Sequence, residues 1–319
     1  MFKSFDCLCA GVIVADWVCH PIANMPPQGT LITTDHIELS IGGCAANVAA
    51  DMAKLGLNIG VSGRVGDDLL GREIRHRLAA SDVDVSALEV STTTATSSTF
   101  VLNVAEEDRR FIHCVGANAE YDGEKLSDEA IQATKVLYVG GFCLLNSLTP
   151  DRVVRLFRSA REAGVHTMLN VVLPENTDLT GWLHSVLPLT DYFCTNDEEA
   201  RCITHETDPC AQAEALTKMG ARIAVVTRGS QGAVLMGSGS RLRAGVYPVE
   251  AIDATGTGDA FAAGFLYGVL RGEDLKQCLR LATAMGASCV RSMGATAGVF
   301  NSVQLETFIQ GNSLLIEAI

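Results

Sequence analysis

Residues 253–270 read DATGTGDAFAAGFLYGVL, a glycine-rich turn that runs directly into a helix of small and apolar residues. Gly256 and Gly258 let the backbone come close to a ligand, and the helix beyond them offers unpaired N–H groups and the positive end of its dipole. That combination binds anions. Asp259 sets a carboxylate inside it, where it can take a proton from an attacking hydroxyl while the N–H groups stabilise a phosphoryl group in transit. The other reading is a plain turn, with Asp259 as an N-terminal helix residue that complements the dipole.

Outward from this turn, short β-branched apolar runs alternate with helical patterns, which predicts βα units in a doubly wound, mostly parallel α/β sheet flanked by helices. Strands are expected at 6–15, 58–63, 135–140, 165–171, 192–195 and 222–227, and helices at 45–55, 69–80, 151–163, 211–219, 257–270 and 274–291. Two regions break the rhythm. Residues from about 13 to 41 show no helical period, and 97–115 reads as two strands around Glu106-Glu107-Asp108. Together they predict a small β-sheet lid outside the main sheet. Ligands bind at the carboxyl ends of strands in open α/β sheets, so such a lid is placed to cover the site.

With 48% hydrophobic and 19% charged residues, the 319-residue chain can bury a large core, and one domain is expected over 1–319. The net charge of −13 and pI near 4.9 argue against nucleic acid or anionic membrane as the main partner, since clustered Lys and Arg bind both. No apolar run is long enough for a membrane span. Residues 1–10 carry Lys3 and Asp6 and do not read as an export signal. The eleven cysteines form no CxxC pair and the seven histidines are scattered, which suits buried, reduced thiols in the cytoplasm better than a zinc site.

A second glycine motif, GGCAANVA, occupies residues 42–49, with Leu55-Gly56 closing its helix. A glycine pair entering a small-residue helix lets N–H groups approach a polyol, and Asn47, one turn in, can both donate and accept hydrogen bonds. The two motifs, in this order, resemble the two signatures of the ribokinase-like (PfkB) carbohydrate kinase family. The later signature commonly reads D-T-x-G-[AT]-G-D, and its last Asp is the family's catalytic base; here Ala254 replaces the usual Thr. The resemblance implies a ribokinase-like fold and an ATP-dependent kinase acting on a hydroxyl. Asp259 would be the base in a catalytic turn of Gly256, Thr257 and Gly258, with the substrate held by Gly42, Gly43 and Asn47. Asp16, in the run GVIVAD, matches a sugar-binding Asp of the family, although a strand-end turn residue is as good a reading of it alone. Residues 63–68, GRVGDD, match an architectural segment, and Gly116-Ala117-Asn118 follows the second lid hairpin as in relatives.

Residues 196–199, NDEE, resemble the family's N-x-x-E motif. This implies Asn196 near the nucleotide and Glu199 at Mg²⁺ through water, a hard cation that keeps its waters. The same string also reads as a helix cap with an acidic first turn. Residues 227–232, TRGSQG, resemble the T-x-G-x-x-G turn that lies against ATP, implying contacts from Thr227, Gly229 and Gly232; alone, the string could be a hairpin turn. Met293-Gly294-Ala295, with Asp253, matches a segment that binds a monovalent cation such as K⁺ in relatives. Asn170 stands where many relatives carry an Asp near the phosphates.

A sugar is the first expectation for the substrate, a nucleoside the second and a sugar phosphate the third. A base would want an aromatic slot, for which Phe100, Phe111 and Phe142 are candidates although such residues more often pack in the core, and a phosphate would want basic groups, for which Arg109, Arg110 and His113 are available although arginines beside a hairpin turn usually form a solvated surface. Relatives often pair through their lid sheets, and an isolated small sheet leaves edges and an apolar face exposed, so a homodimer is expected. There is no G-x-x-x-x-G-K-[ST] loop, no protein-kinase signature set and no early G-x-G-x-x-G turn. The alternative from another class is a non-catalytic, ligand-binding regulatory protein of the same fold.

Overall fold

The computed structural model describes residues 4–105, 107, 109–174 and 180–319. The first half of the chain forms β1 (Phe5–Gly11), β2 (Val14–Ile22), β3 (Ile37–Gly42), α1 (Cys44–Lys54), β4 (Ile59–Gly66), α2 (Leu69–Ala80), β5 (Val83–Ser91), β6 (Ser98–Val104), β7 (Arg110–Cys114), α3 (Asp128–Gln132), β8 (Thr134–Phe142) and α4 (Pro150–Glu162). The second half forms β9 (His166–Val171), α5 (Thr180–Val186), β10 (Tyr192–Asn196), α6 (Asp197–Thr204), α7 (Pro209–Lys218), β11 (Ile223–Thr227), β12 (Ala233–Gly237), β13 (Ser240–Ala244), α8 (Thr257–Leu270), α9 (Leu275–Cys289), α10 (Ser302–Gly311) and β14 (Ile316–Ala318).

Ten strands make one sheet in the order β14-β13-β12-β11-β10-β9-β8-β1-β4-β5. From β11 to β5 every pairing is parallel, and β12, β13 and β14 close the other edge antiparallel. Strands covered on both faces need apolar residues on both, and they have them. Cys7, Cys9, Val136, Tyr138, Ile223 and Val225 enter the core under α1, α8 and α9. Their alternates Leu8, Ala10, Leu137, Val139, Ala224 and Val226 enter the core under α4 and α7. The period of two in the sequence thus feeds two helical layers. This is the expected doubly wound, mostly parallel architecture.

The remaining strands form a separate sheet in the order β3-β2-β6-β7. The single strand expected over 6–15 is in fact two. The chain leaves the large sheet after Gly11 and enters the small one at Val14. Asn118 pins this crossover, accepting from Ile13 N at 3.2 Å and donating to Ile13 O at 2.9 Å, each bond contributing about 1 kcal/mol. Asp16 therefore lies inside a strand of the small sheet and does not end the first strand of the large one. Register puts Ser40, Asp16, Thr99 and His113 in one cross-strand row, and Leu39, Trp17, Phe100 and Ile112 in the next. Successive rows face opposite sides. One face of the small sheet is thus polar here and the other apolar. Glu106 and Asp108, expected at its turn, lie outside the described residues.

Candidate active site

The two glycine motifs meet at the N-termini of α1 and α8. Gly43 caps α1 with φ 90°, and a Cβ there would lie 2.4 Å from Val12 O, so the crossover and the helix start can touch only through glycine. At Gly42 a Cβ would lie 2.0 Å from Asp16 Oδ2, which sets that carboxylate directly on the glycine backbone. One turn into α1, Asn47 Nδ2 donates to Asp259 Oδ2 at 2.8 Å. Asn47 Oδ1 is buried and has no donor among the described residues. The Cys44 thiol is close enough to the Asp259 carboxylate to oppose the rise in its pKa.

Gly256 caps α8 in the left-handed region at φ 77°, pressed against Ala295. Gly258, two residues on, faces open space, with nothing within 4 Å of where a Cβ would be. Between them Thr257 Oγ1 donates to Ala254 O at 2.8 Å and tightens the turn. Asp253 is buried, and its oxygens accept from Thr255 N at 2.9 Å, Thr255 Oγ1 at 2.7 Å and Gly294 N at 2.9 Å. It clamps the 253–255 turn to the loop at Gly294. The Cys289 thiol sits between Thr255 O and Ala295 O, 3.2 Å from each.

The residues expected at the nucleotide cluster at the carboxyl ends of β10 and β11. Asn196 and Thr227 are register partners there, and Thr227 Oγ1 donates to Thr195 O at 3.3 Å. Asn196 and Glu199 form a reciprocal capping box on α6. In it the Glu199 carboxylate accepts from Asn196 N at 3.1 Å and Thr195 Oγ1 at 2.9 Å. The capping reading of this string is therefore realised, and a carboxylate held this way can still present charge to water. Gly229 is open, whereas a Cβ on Gly232 would meet Ala244 O at 2.0 Å, so Gly232 answers to packing. Asn170 Nδ2 donates to Cys194 O at 3.2 Å and bridges β9 to β10.

Negative charge accumulates around these residues. Burial is the main cause that raises Asp259, opposed by its bonds to Asn47 and Cys44. Burial also lifts Asp16 to about 6, against the Thr99 hydroxyl, with Asp259 and Asp253 adding to the rise. Glu199 is pushed up to about 7, again chiefly by burial, with Asp259 and Glu198 contributing. Behind them Asp51 is fully buried on α1, neither carboxyl oxygen has a partner among the described residues, and burial raises it strongly. Asp259 thus contributes to the rise of both Asp16 and Glu199, so the acidic groups of these motifs share one electrostatic environment.

Several sequence expectations need correcting. Phe142 cannot line a slot, since it is wholly buried in the core against Trp182. Phe100 lies on the apolar face of the small sheet, turned from Asp16, whereas Phe111 shares the face of His113. Arg110 pairs with Glu107, and Arg109 lies over the Phe111 ring. Cys44, which opposes the rise in the Asp259 pKa, and Thr99, the cross-strand partner of Asp16, went unread in the sequence. Cys44 stood within a motif already noted, but nothing local marks Thr99, because its role comes from strand register.

With this geometry in hand, comparison with known proteins gives a consistent answer. The family model for pfkB family carbohydrate kinases matches residues 6–301. The chain belongs to that family. A nucleoside kinase of Methanothermobacter thermautotrophicus is 25% identical over 299 residues, covering 94% of each chain. The ribokinase of Arabidopsis thaliana, solved with ribose and ATP, superposes with a TM-score of 0.82 at 22% identity, covering 96% of this chain and 98% of its own. An Escherichia coli protein assigned to ribokinase II, solved with ATP and Mg²⁺, superposes with a TM-score of 0.83 at 24% identity, covering 97% and 100%. The ribokinase fold is thereby established for this chain.

Proposed function

We propose that this protein transfers the γ-phosphate of ATP to a hydroxyl of a small sugar-like substrate, with Asp259 as the base. The observation that carries the reading is the 2.8 Å bond from Asn47 to Asp259, which joins the polyol motif to the anion-binding turn. The substrate lies between Asp16, Gly42, Gly43 and Asn47, and the orphaned Asn47 Oδ1 is an acceptor suited to one of its hydroxyls. Asp259 Oδ2 is held by Asn47, and the carboxylate takes the proton of the hydroxyl that attacks.

The transferred phosphoryl group lies against Gly256, Thr257 and Gly258. The open side of Gly258 leaves room that a side chain would fill, and the N–H groups of α8 point at the developing charge. ATP extends from there along Asn196, Thr227, Gly229 and Gly232. The oxygen-rich, acidic surroundings of Glu199 fit Mg²⁺ held through water, which when bound supplies charge neutralisation for the phosphates. The Asp253 clamp already spends three acceptor positions on N–H and O–H donors, so a monovalent cation beside it would rest mainly on backbone carbonyls.

We assign the four-stranded sheet as a lid that excludes water from the site, within one domain spanning 1–319. Its apolar row exposes Phe100 at 51% and Ile112 at 63%, a face that a second copy of the chain would cover in a homodimer. No described helix is long and apolar enough to cross a membrane. The exposed thiols of Cys114 and Cys202 suit the reducing cytoplasm. A nucleoside is the second reading, favoured by the half-exposed Phe111 ring on the polar face of the lid. Measuring ADP release over a panel of sugars and nucleosides tests the proposal, and ADP release that no compound stimulates would refute it.

A further inference from the structure

The hydroxyl-rich run STTTATSST at 91–99 takes no part in the proposed chemistry, yet most of its side chains are engaged. It carries the chain from the end of β5 in the large sheet to β6 in the small one. Ser91 Oγ donates to Glu120 Oε2 at 2.8 Å and accepts from Thr93 N at 3.3 Å and Thr94 N at 3.0 Å. Thr93 Oγ1 donates to Glu120 Oε1 at 3.3 Å, and Thr94 Oγ1 donates to the same oxygen. Asp68, the cap of α2, accepts from Thr96 N and Thr96 Oγ1, each at 2.7 Å. An ionised carboxylate can only accept. The passage thus supplies donors, and two carboxylates outside it hold it in place.

Glu120 ends the 3₁₀ turn Gly116–Glu120, into which the chain returns from β7. The same turn grips the neighbouring passages between the sheets. Asn118 holds Ile13 between β1 and β2, and its own N–H donates to Ser97 Oγ at 3.3 Å. Ala117 N donates to Ala95 O at 2.8 Å. One short turn therefore ties together the passages at 12–13, 92–97 and 115. Its two polar side chains differ in one respect. Asn118 is wholly buried, whereas the Glu120 side chain is 30% exposed, so water can replace its bonds. Arg64 anchors it from behind, pairing with Glu120 at 3.0 Å and with buried Glu89 at 3.2 Å. The Thr94 and Ser91 hydroxyls, and then Arg64, hold the Glu120 carboxyl below the usual carboxylate range.

Resting on the kinase and lid readings above, we infer that Glu120 is a positioning residue whose carboxylate latches the 91–97 passage and so fixes the small sheet, with Asp16 on it, against the Asp259 turn. It acts through β6, which pairs with β2 at Thr99 and Asp16, and not on the substrate itself. The test compares the full-length protein with Glu120→Ala, with Thr94→Val, which keeps the shape and loses the hydroxyl, and with Thr92→Val. Thr92 is exposed and bonded to neither carboxylate, so its variant is the control. Hydrogen exchange of the 92–104 amides is measured without ligand. KM and kcat are measured for ATP and for whichever of ribose, fructose, adenosine and the rest of the sugar and nucleoside panel the wild type turns over fastest. E120A should raise exchange at 93–97 about tenfold, the equivalent of one hydrogen bond, with a melting temperature within a few degrees of wild type. KM for the acceptor should rise about tenfold while KM for ATP and kcat stay within about threefold. T94V should move exchange and acceptor KM in the same direction, and T92V should move neither.

Unchanged exchange at 93–97 in E120A would overturn the inference and leave the kinase reading standing. So would equal effects of T92V and T94V, or KM values for ATP and acceptor that rise together, the mark of a residue that only stabilises the fold. ADP release stimulated by none of the compounds would remove the kinase reading and this inference with it.

Discussion

Asn47 Nδ2 donates to Asp259 Oδ2 at 2.8 Å, tying the first turns of α1 and α8 together across 212 residues of sequence. This bond opposes the burial that raises the Asp259 pKa. Replacing Asn47 with Ala removes it and leaves a less acidic, less well aimed carboxylate. The expected outcome in steady-state kinetics is a fall in kcat/KM of about 10- to 100-fold, the range for a hydrogen bond to a charged group, with the acid limb of the pH profile moved upward.

The two glycines of the α8 turn should respond differently to the same methyl group. Gly256→Ala puts a Cβ 2.5 Å from Ala295 at a positive φ, so it should lower the melting temperature by several degrees along with activity. Gly258→Ala meets nothing within 4 Å, so the melting temperature should hold. The added methyl instead intrudes where the phosphoryl group is proposed to lie, and KM for ATP should rise. Thermal melts and ATP titrations of both variants check the contrast.

Asp51 gives a pH-dependent stability effect of defined sign. A carboxyl whose pKa is raised by folding binds its proton more tightly in the native state. Its contribution is fully present below the unfolded value near 4 and is lost as pH rises through the folded value. Asp51→Asn removes the ionisation while keeping the shape. The variant should be about 1–3 kcal/mol more stable than the wild type at pH 8 and little different at pH 4, by denaturant unfolding at both pH values.

Asp16 connects pH to substrate capture. With its pKa near 6, it loses the charge that accepts a hydroxyl as pH falls through that value. The profile of kcat/KM for the acceptor substrate should therefore decline below about pH 6 to 7, a range it shares with Glu199 near 7. Asp16→Asn should lower kcat/KM at neutral pH and flatten the lower part of that limb.

The fold was legible because two periodicities and two glycine motifs agreed. Period-two apolar runs such as CLCA at 7–10 and VLYV at 136–139 fed both helical layers, and the glycines at 42–43 and 256–258 marked backbone that must approach something closely. What escaped was set by pairing at a distance. The break between β1 and β2 lies inside one continuous apolar run, and the chain is held where it changes sheets by distant partners, Asn118 at Ile13 and Gly140 at Val12. The parallel pairing of β2 with β6 brings Thr99 beside Asp16, and no local pattern announces it. Phe142 looked like a candidate wall of the pocket because an apolar residue at a strand end carries the same sequence signal whether it faces a ligand or the core.

Turnover and ligand binding in Asp259→Asn, measured side by side, decide whether Asp259 is the base. The amide preserves size and some hydrogen bonding but cannot take the proton. If Asp259 is the base, kcat falls by at least about 10³-fold while the dissociation constants of ATP and the acceptor stay within several-fold of wild type. Near-normal turnover in that variant would contradict it.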